Sequence, residues 1–413
     1  MRRKLPIVII CLVFGFGFMV FPSEIHSQQL RPGKIKLGPV GVHPSLGLTE
    51  TYTDNVYQSY DGKDKESDFI TTISPGLQLV LPLRRHSVTA GYRADINRYA
   101  GFSENDYVRQ TANGSVNLDF PGGLLLNISD TFIDSEVIRK WKEQPGLGGS
   151  ADRYRAKPYQ ANDFVTKARY HFANRWSAVV WYNFYKYDYD HEYDRSGSYD
   201  RNLAGGSLLY RFTRKTDLLV ELQHSRVVYP HSKFHDNRNN TVYAGLGFDP
   251  GAKLDGYLKV GWTQKKYDEK PASMNDEFNE PSMQIDLGYN LSPYDVINFR
   301  GIRVIEEDED TNEPFTRSDF SIGYSHIMSM NGKIRPNARI GYAKHDYEGQ
   351  STDIDGLVKQ RDEKIHYATV GVDYAMQRWL KLSLDYTYRK RDSNFIRYDY
   401  SENRVFLNAT VSF

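Results

Sequence analysis

The chain has 413 residues, a mean hydropathy of −0.62, and charges that nearly cancel, 53 Lys and Arg against 52 Asp and Glu. Beyond its first residues no apolar run approaches the roughly 18 residues of a membrane helix, 14% aromatic content is too high for disorder, and a net charge of +1 argues against a nucleic-acid partner. High Tyr (31) and Gly (32) at low hydropathy suit a sheet with one wet face.

At the start, MRRK precedes the apolar run LPIVIICLVFGFGFMVF and the polar PSEIHSQQ. That is the order of a secretory signal, so residues 1–27 are expected to be cleaved near Ser27, with an uncleaved anchor as the alternative. The only cysteine, Cys11, lies inside the run and lacks the small residues that precede a lipidated cysteine. Processing would therefore leave no thiol for disulfides or nucleophilic chemistry. Residues 28–41 read as a short periplasmic segment and 42–413 as one domain.

From His43 onward apolar and polar residues alternate with the period of a strand. SVTAGYRADIN sets Val88, Ala90, Tyr92, Ala94 and Ile96 against Thr89, Arg93, Asp95 and Asn97. MQIDLGYNL opposes Met283, Ile285, Leu287, Tyr289 and Leu291 to Gln284, Asp286 and Asn290, and KLSLDYTYR opposes Leu380, Leu382, Leu384, Tyr386 and Tyr388 to Lys381, Ser383, Asp385 and Thr387. About eighteen such segments are expected, starting near residues 43, 67, 85, 106, 122, 158, 175, 198, 215, 236, 252, 279, 293, 315, 331, 361, 378 and 400. Connections alternate along the chain between tight turns such as FPGG, DPGAK and SMNGK, and long polar links such as YQSYDGKDKESD, DHEYDRSGSYD, EEDEDTNEPF and EGQSTDIDGLVKQRDE.

A secreted, thiol-free meander of even strand number, with one apolar face per strand, predicts an all-β fold: a transmembrane antiparallel up-and-down β-barrel in the outer membrane. A soluble propeller is the alternative, although no blade-length motif repeats. The last segment, VFLNATVSF, puts Val405, Leu407, Ala409, Val411 and Phe413 on one face. An even count returns it beside the first strand, which closes the ring. Phe413 resembles the C-terminal aromatic signature by which bacterial outer-membrane barrels are recognised, which implies an insertion signal read by the barrel-assembly machinery.

The opening segments LTETYTDNVYQS and SDFITTISPGLQLVLP, with Asp54-Asn55 and Ser74-Pro75-Gly76, resemble the first hairpin of the β-barrel porin family often encoded in exopolysaccharide biosynthesis loci. The resemblance implies a conduit for an exported polysaccharide, working with periplasmic export components. A general nutrient porin, or an adhesive barrel with a blocked lumen, is the rival reading.

With the apolar parity facing lipid, the candidate lumen-lining residues are Arg93, Asp95, Lys167, Arg169, Arg211, Glu221, Lys259, Asp286, Arg300, Arg335, Arg339, Asp373, Lys381 and Asp385. Their mild basic excess favours anionic or neutral hydrophilic solutes, and bracing ion pairs are the alternative role. Tyr and Asp crowd YKYDYDHEYD and IRYDY, where an interfacial aromatic girdle is expected ahead of a glycan track. DSEVIRKWKEQPGLGGSADRYRAKPYQ is the longest connection, with Ser135 expected to cap a short helix bearing Ile138 and Trp141, and it resembles in position the constriction loop of general porins. The run Glu306 to Asp310 lacks the spacing of a calcium loop, no GxSxG, HExxH or phosphate-cradling loop occurs, and no cofactor or catalytic site is expected. The expected state is a monomer in outer-membrane lipid.

Overall fold

Alternating side chains fold into strands because only a strand places successive residues on opposite faces. The structure is a computed structural model, and it describes residues 35–61, 65–141, 153–192, 194–269, 275–308, 313–328, 332–353 and 356–413. Residues 1–27, expected to be a cleaved signal, lie outside the described residues. Strands are β1 Ile35–Leu37, β2 Val40–Thr53, β3 Asp68–Leu83, β4 His86–Tyr99, β5 Tyr107–Phe120, β6 Leu124–Trp141, β7 Arg153–Ala173, β8 Trp176–Tyr189, β9 Tyr199–Arg211, β10 Thr216–Val228, β11 Asn237–Phe248, β12 Leu254–Tyr267, β13 Glu277–Asn290, β14 Asp295–Glu307, β15 Pro314–His326, β16 Ile334–Thr352, β17 Val358–Tyr374, β18 Leu380–Ser393 and β19 Tyr400–Ser412. Each of β2 to β19 pairs antiparallel with its chain neighbour, and β19 pairs with β2 from Arg404↔Thr53 to Ser412↔Ser45. The expected eighteen-strand closed barrel is therefore what forms. The largest error in strand starts is at β7, expected near 158 and found at Arg153.

Closure satisfies the backbone groups that an open edge would leave unpaired in lipid. At the seam the Phe413 N–H donates to the Pro44 carbonyl at 3.0 Å, and the Phe413 ring stacks on Trp379 with centroids 6.3 Å apart. β1 then takes up the edge of β2 just past that point, pairing Ile35↔Val42 and Leu37↔Val40. It follows the line of β19 along the same edge.

Turns at one rim are tight. Arg84 and Arg85 alone join β3 to β4, with Arg84 at a φ of 55°, the positive value such a two-residue turn demands. Pro121, Gly122 and Gly123 join β5 to β6, where both glycines have φ near 90° and a side chain would be strained.

At the other rim two expectations are overturned. Ser135, Ile138 and Trp141 form no helix: β6 runs on through them and pairs with β7 up to Trp141↔Arg153. The stretch after Tyr347 is likewise mostly strand, since β16 reaches Thr352 and β17 starts at Val358. Backbone hydrogen bonds hold such a ribbon past the neighbouring strands, so polar composition does not end the pairing. Sequence polarity there marked the end of the apolar belt, not of the strand.

The convex face carries the apolar parity: Leu222, Val260, Ile340, Val370 and Leu407 are each more than half exposed. An exposed apolar belt of this extent is the surface a bilayer covers.

Candidate functional site

The inner wall is identified by contacts that skip a strand, which a concave face alone permits. Lys259 Nζ on β12 lies 2.8 Å from Glu221 Oε1 on β10, Lys265 Nζ on β12 lies 2.6 Å from Glu307 Oε1 on β14, and the Tyr367 hydroxyl on β17 donates to Asp319 on β15 at 2.9 Å. Residues directly opposite in a ladder share a face. Carried around the ring, the register puts all fourteen candidates, Arg93 through Asp385, on this wall.

Among the described residues at least nine of them are ion-paired. Arg93 meets Asp95 at 2.6 Å, Arg211 meets Asp217 at 2.7 Å, Lys381 meets Asp373 at 2.8 Å and Arg300 meets Asp286 at 3.7 Å, beside the Lys259–Glu221 pair. Three of these pairs tie adjacent strands, the Lys259–Glu221 pair bridges over β11, the Arg93–Asp95 pair lies within β4, and all of them neutralise the wall locally. Lys167, Arg169 and Arg339 differ, because among the described residues they make no hydrogen bond or ion pair. Lys167 and Arg169 are also exposed, next to one another on the wet face of β7. The wall thus splits into bracing pairs and a few cations that meet water.

Tyrosines line its outer end. Tyr159, Tyr185, Tyr187 and Tyr199 share the parity of Lys167 and Trp181, so they face inward, and Tyr185 and Tyr187 do not form the lipid girdle expected of their stretch. Centroids lie 4.8 Å apart for Tyr159 and Tyr187 and 5.9 Å for Tyr187 and Tyr199, with planes within about 20°. Their faces cover one another. What they leave toward the lumen is edges and hydroxyls.

Across the mouth, the Arg361 guanidinium is clamped 3.6 Å from the Tyr347 centroid and 3.9 Å from that of Tyr398, and it bonds Asp308 at 2.7 Å and Glu363 at 2.8 Å. Arg361 and Glu363 are about 1% exposed or less. So deep a charge is tolerable only with partners on every side, and here it locks the β14–β15 and β18–β19 loops to the wall. Sequence reading placed Arg361 and Glu363 in a polar link and Asp308 in a loop, and it did not find their meeting, which depends on segments far apart in the chain.

The β2–β3 loop is latched over the seam in the same way. Asp61 takes hydrogen bonds from Lys390 at 2.8 Å and an ion pair from Lys65 at 3.0 Å, and its N–H donates to Asp399. The Lys390 bond is the main reason its carboxyl is lowered to about 2. Among the described residues no cluster of three metal-ligating side chains occurs.

With that geometry in view, a model of the family described as Putative beta-barrel porin 2 matches residues 32–133 and 230–413, more than half of the chain. No curated protein sequence matches. Among solved structures, the outer membrane protein OpdK of Pseudomonas aeruginosa is similar at a TM-score of 0.50 and 12% identity, over 90% of this chain and 99% of that one. OccK2 (OpdF) of the same organism, in complex with glucuronate, follows at 0.48 and 9%, over 90% and 98%. At such identities the first of these likenesses speaks for the fold alone.

Proposed function

We propose, from the premise that this chain belongs to the Putative beta-barrel porin 2 family, a passive outer-membrane diffusion channel for small hydrophilic solutes, with a preference for anions. Membership makes the protein an outer-membrane porin, a channel and not an enzyme. The observation that carries the preference is the set of cations Lys167, Arg169 and Arg339, which make no hydrogen bond or ion pair among the described residues and outnumber Asp385, the one candidate carboxylate in the same state, on a wall most of whose other charges are ion-paired. Fixed guanidinium and ammonium groups replace part of the hydration that an anion sheds on entering a narrow path, so anions lose less than cations do. Purified protein in planar bilayers should give discrete channels with an anion-selective reversal potential. Arg169→Glu with Arg339→Glu should weaken or invert that selectivity, and unaltered selectivity would remove the role of these cations.

Polysaccharide export is the second reading. The inner tyrosines favour it, but with their faces stacked on one another they offer little to the flat side of a sugar, so the diffusion channel fits better. Surface polymer that falls in a deletion strain while periplasmic polymer accumulates would reverse that order.

A further inference from the structure

Trp181 is an aromatic ring on the inner wall that makes no ring–ring contact among the described residues. Trp181 on β8 lies opposite Lys167 on β7 and Gly205 on β9. A β-carbon at Gly205 would overlap Trp181 Cζ2 and Cε2 and lie 2.9 Å from Nε1. The indole is therefore laid flat across the glycine, one face against the backbone. Trp181 is half-buried on the inner face, and the side turned away from the glycine is the one that can meet the lumen.

Lys167 and Arg169 stand at one side of that platform. Two like charges at alternate positions on one face repel, neither makes a hydrogen bond or ion pair among the described residues, and an anion entering the lumen would relieve that repulsion. On the other side is Gln223, opposite Gly205, whose amide donates to Glu221 Oε1 at 2.7 Å, and Ser207 donates to the other Glu221 oxygen at 2.8 Å. An apolar plate is thus bordered by free cations on one flank and, on the other, by an amide and a hydroxyl held by the Glu221 carboxylate, whose charge Lys259 balances.

We propose that this patch is a binding subsite for an anionic monosaccharide, a pyranose bearing a carboxylate. The C–H face of the ring would lie on the indole, the carboxylate against Lys167 and Arg169, and the hydroxyls toward Gln223. The subsite deepens the diffusion-channel reading and rests on it. It lies within residues 134–229, which the family model does not match, so it belongs to this chain's own wall.

The experiment adds glucuronate, glucose or benzoate to single channels in planar bilayers, with tryptophan fluorescence quenching in detergent as a second readout. Glucuronate is expected to block the current reversibly and to quench. Trp181→Ala, and Lys167→Gln with Arg169→Gln, should each weaken the block about tenfold, Trp181→Phe should retain most of it, and glucose should block less. Equal glucuronate block in wild type, Trp181→Ala and the double variant overturns the subsite. Benzoate binding as tightly as glucuronate overturns the saccharide and leaves a planar aromatic acid as ligand. A protein without conductance overturns the channel, and quenching by glucuronate, lost in the double variant, then still decides the subsite.

Discussion

Leu384 and Asp385 are adjacent in sequence and on opposite sides of the wall. Leu384 is 48% exposed on the convex face opposite Leu407, whereas Asp385 shares the inner face with Asp373 and Lys381. Leu384→Arg should cost about 2–4 kcal/mol near the bilayer midplane, and Asp385→Arg should fold nearly as well as wild type, measured by urea-dependent folding into vesicles. Equal tolerance would contradict the register. This much was legible from parity alone, because a period of two does not depend on which strands are neighbours. The platform at Trp181 was not legible, since it needs Gly205 directly across from the indole and that pairing exists only once β8 and β9 are in register. Tyr185, Tyr187 and Tyr189 were misread despite carrying the inward parity, because their composition suggested an interface and the parity was not followed through them.

At the scale of elements, the β6–β7 pair shows what composition hides. β5 pairs with β6 only as far as Gln110↔Asp134 and β8 with β7 only as far as Tyr159↔Tyr189, so Ser135–Trp141 and their partners form a two-stranded ribbon beyond the ring. The register is unbroken from Leu124↔Tyr170 to Trp141↔Arg153, which carries the ribbon along the line of the wall. Replacing residues 137–157 by Asn-Gly should leave single-channel conductance unchanged, and a rise would show that the ribbon's tip narrows the bore. The β2–β3 loop offers a pH test. Because the Asp61 carboxyl is lowered to about 2, below its ordinary value near 4, its contribution to the latch is complete above about pH 4 and is lost as pH falls through about 2. Hydrogen exchange of residues 54–61 should quicken across that window. Asp61→Asn should make exchange fast at neutral pH and remove the dependence.

For the whole molecule, the order of strands was legible because a closed meander pairs each strand with its sequence neighbour, leaving closure as the one long-range choice. The loops at the mouth were not, since Arg361, Asp308 and Tyr398 come from three separate connections or strands and nothing periodic links them. Tags inserted at Gly122 and Gly251 should be protected in intact cells while tags at Gly356 are labelled, and labelling at Gly122 would invert the barrel. At the seam, Phe413→Ala removes the stack on Trp379 and should lower the temperature of heat modification on gels, with an unchanged transition arguing that backbone pairing alone holds the closure. The same seam has a topological consequence. Ile35 and Phe413 meet the same edge of β2 within two positions of one another, so the covalent break in the ring falls between two strands held end to end along β2. A short linker from Phe413 to Ile35, with new ends opened at the Gly122 turn, would give a circular permutant with every strand pair intact, and its folding would show that the ring has no privileged first strand.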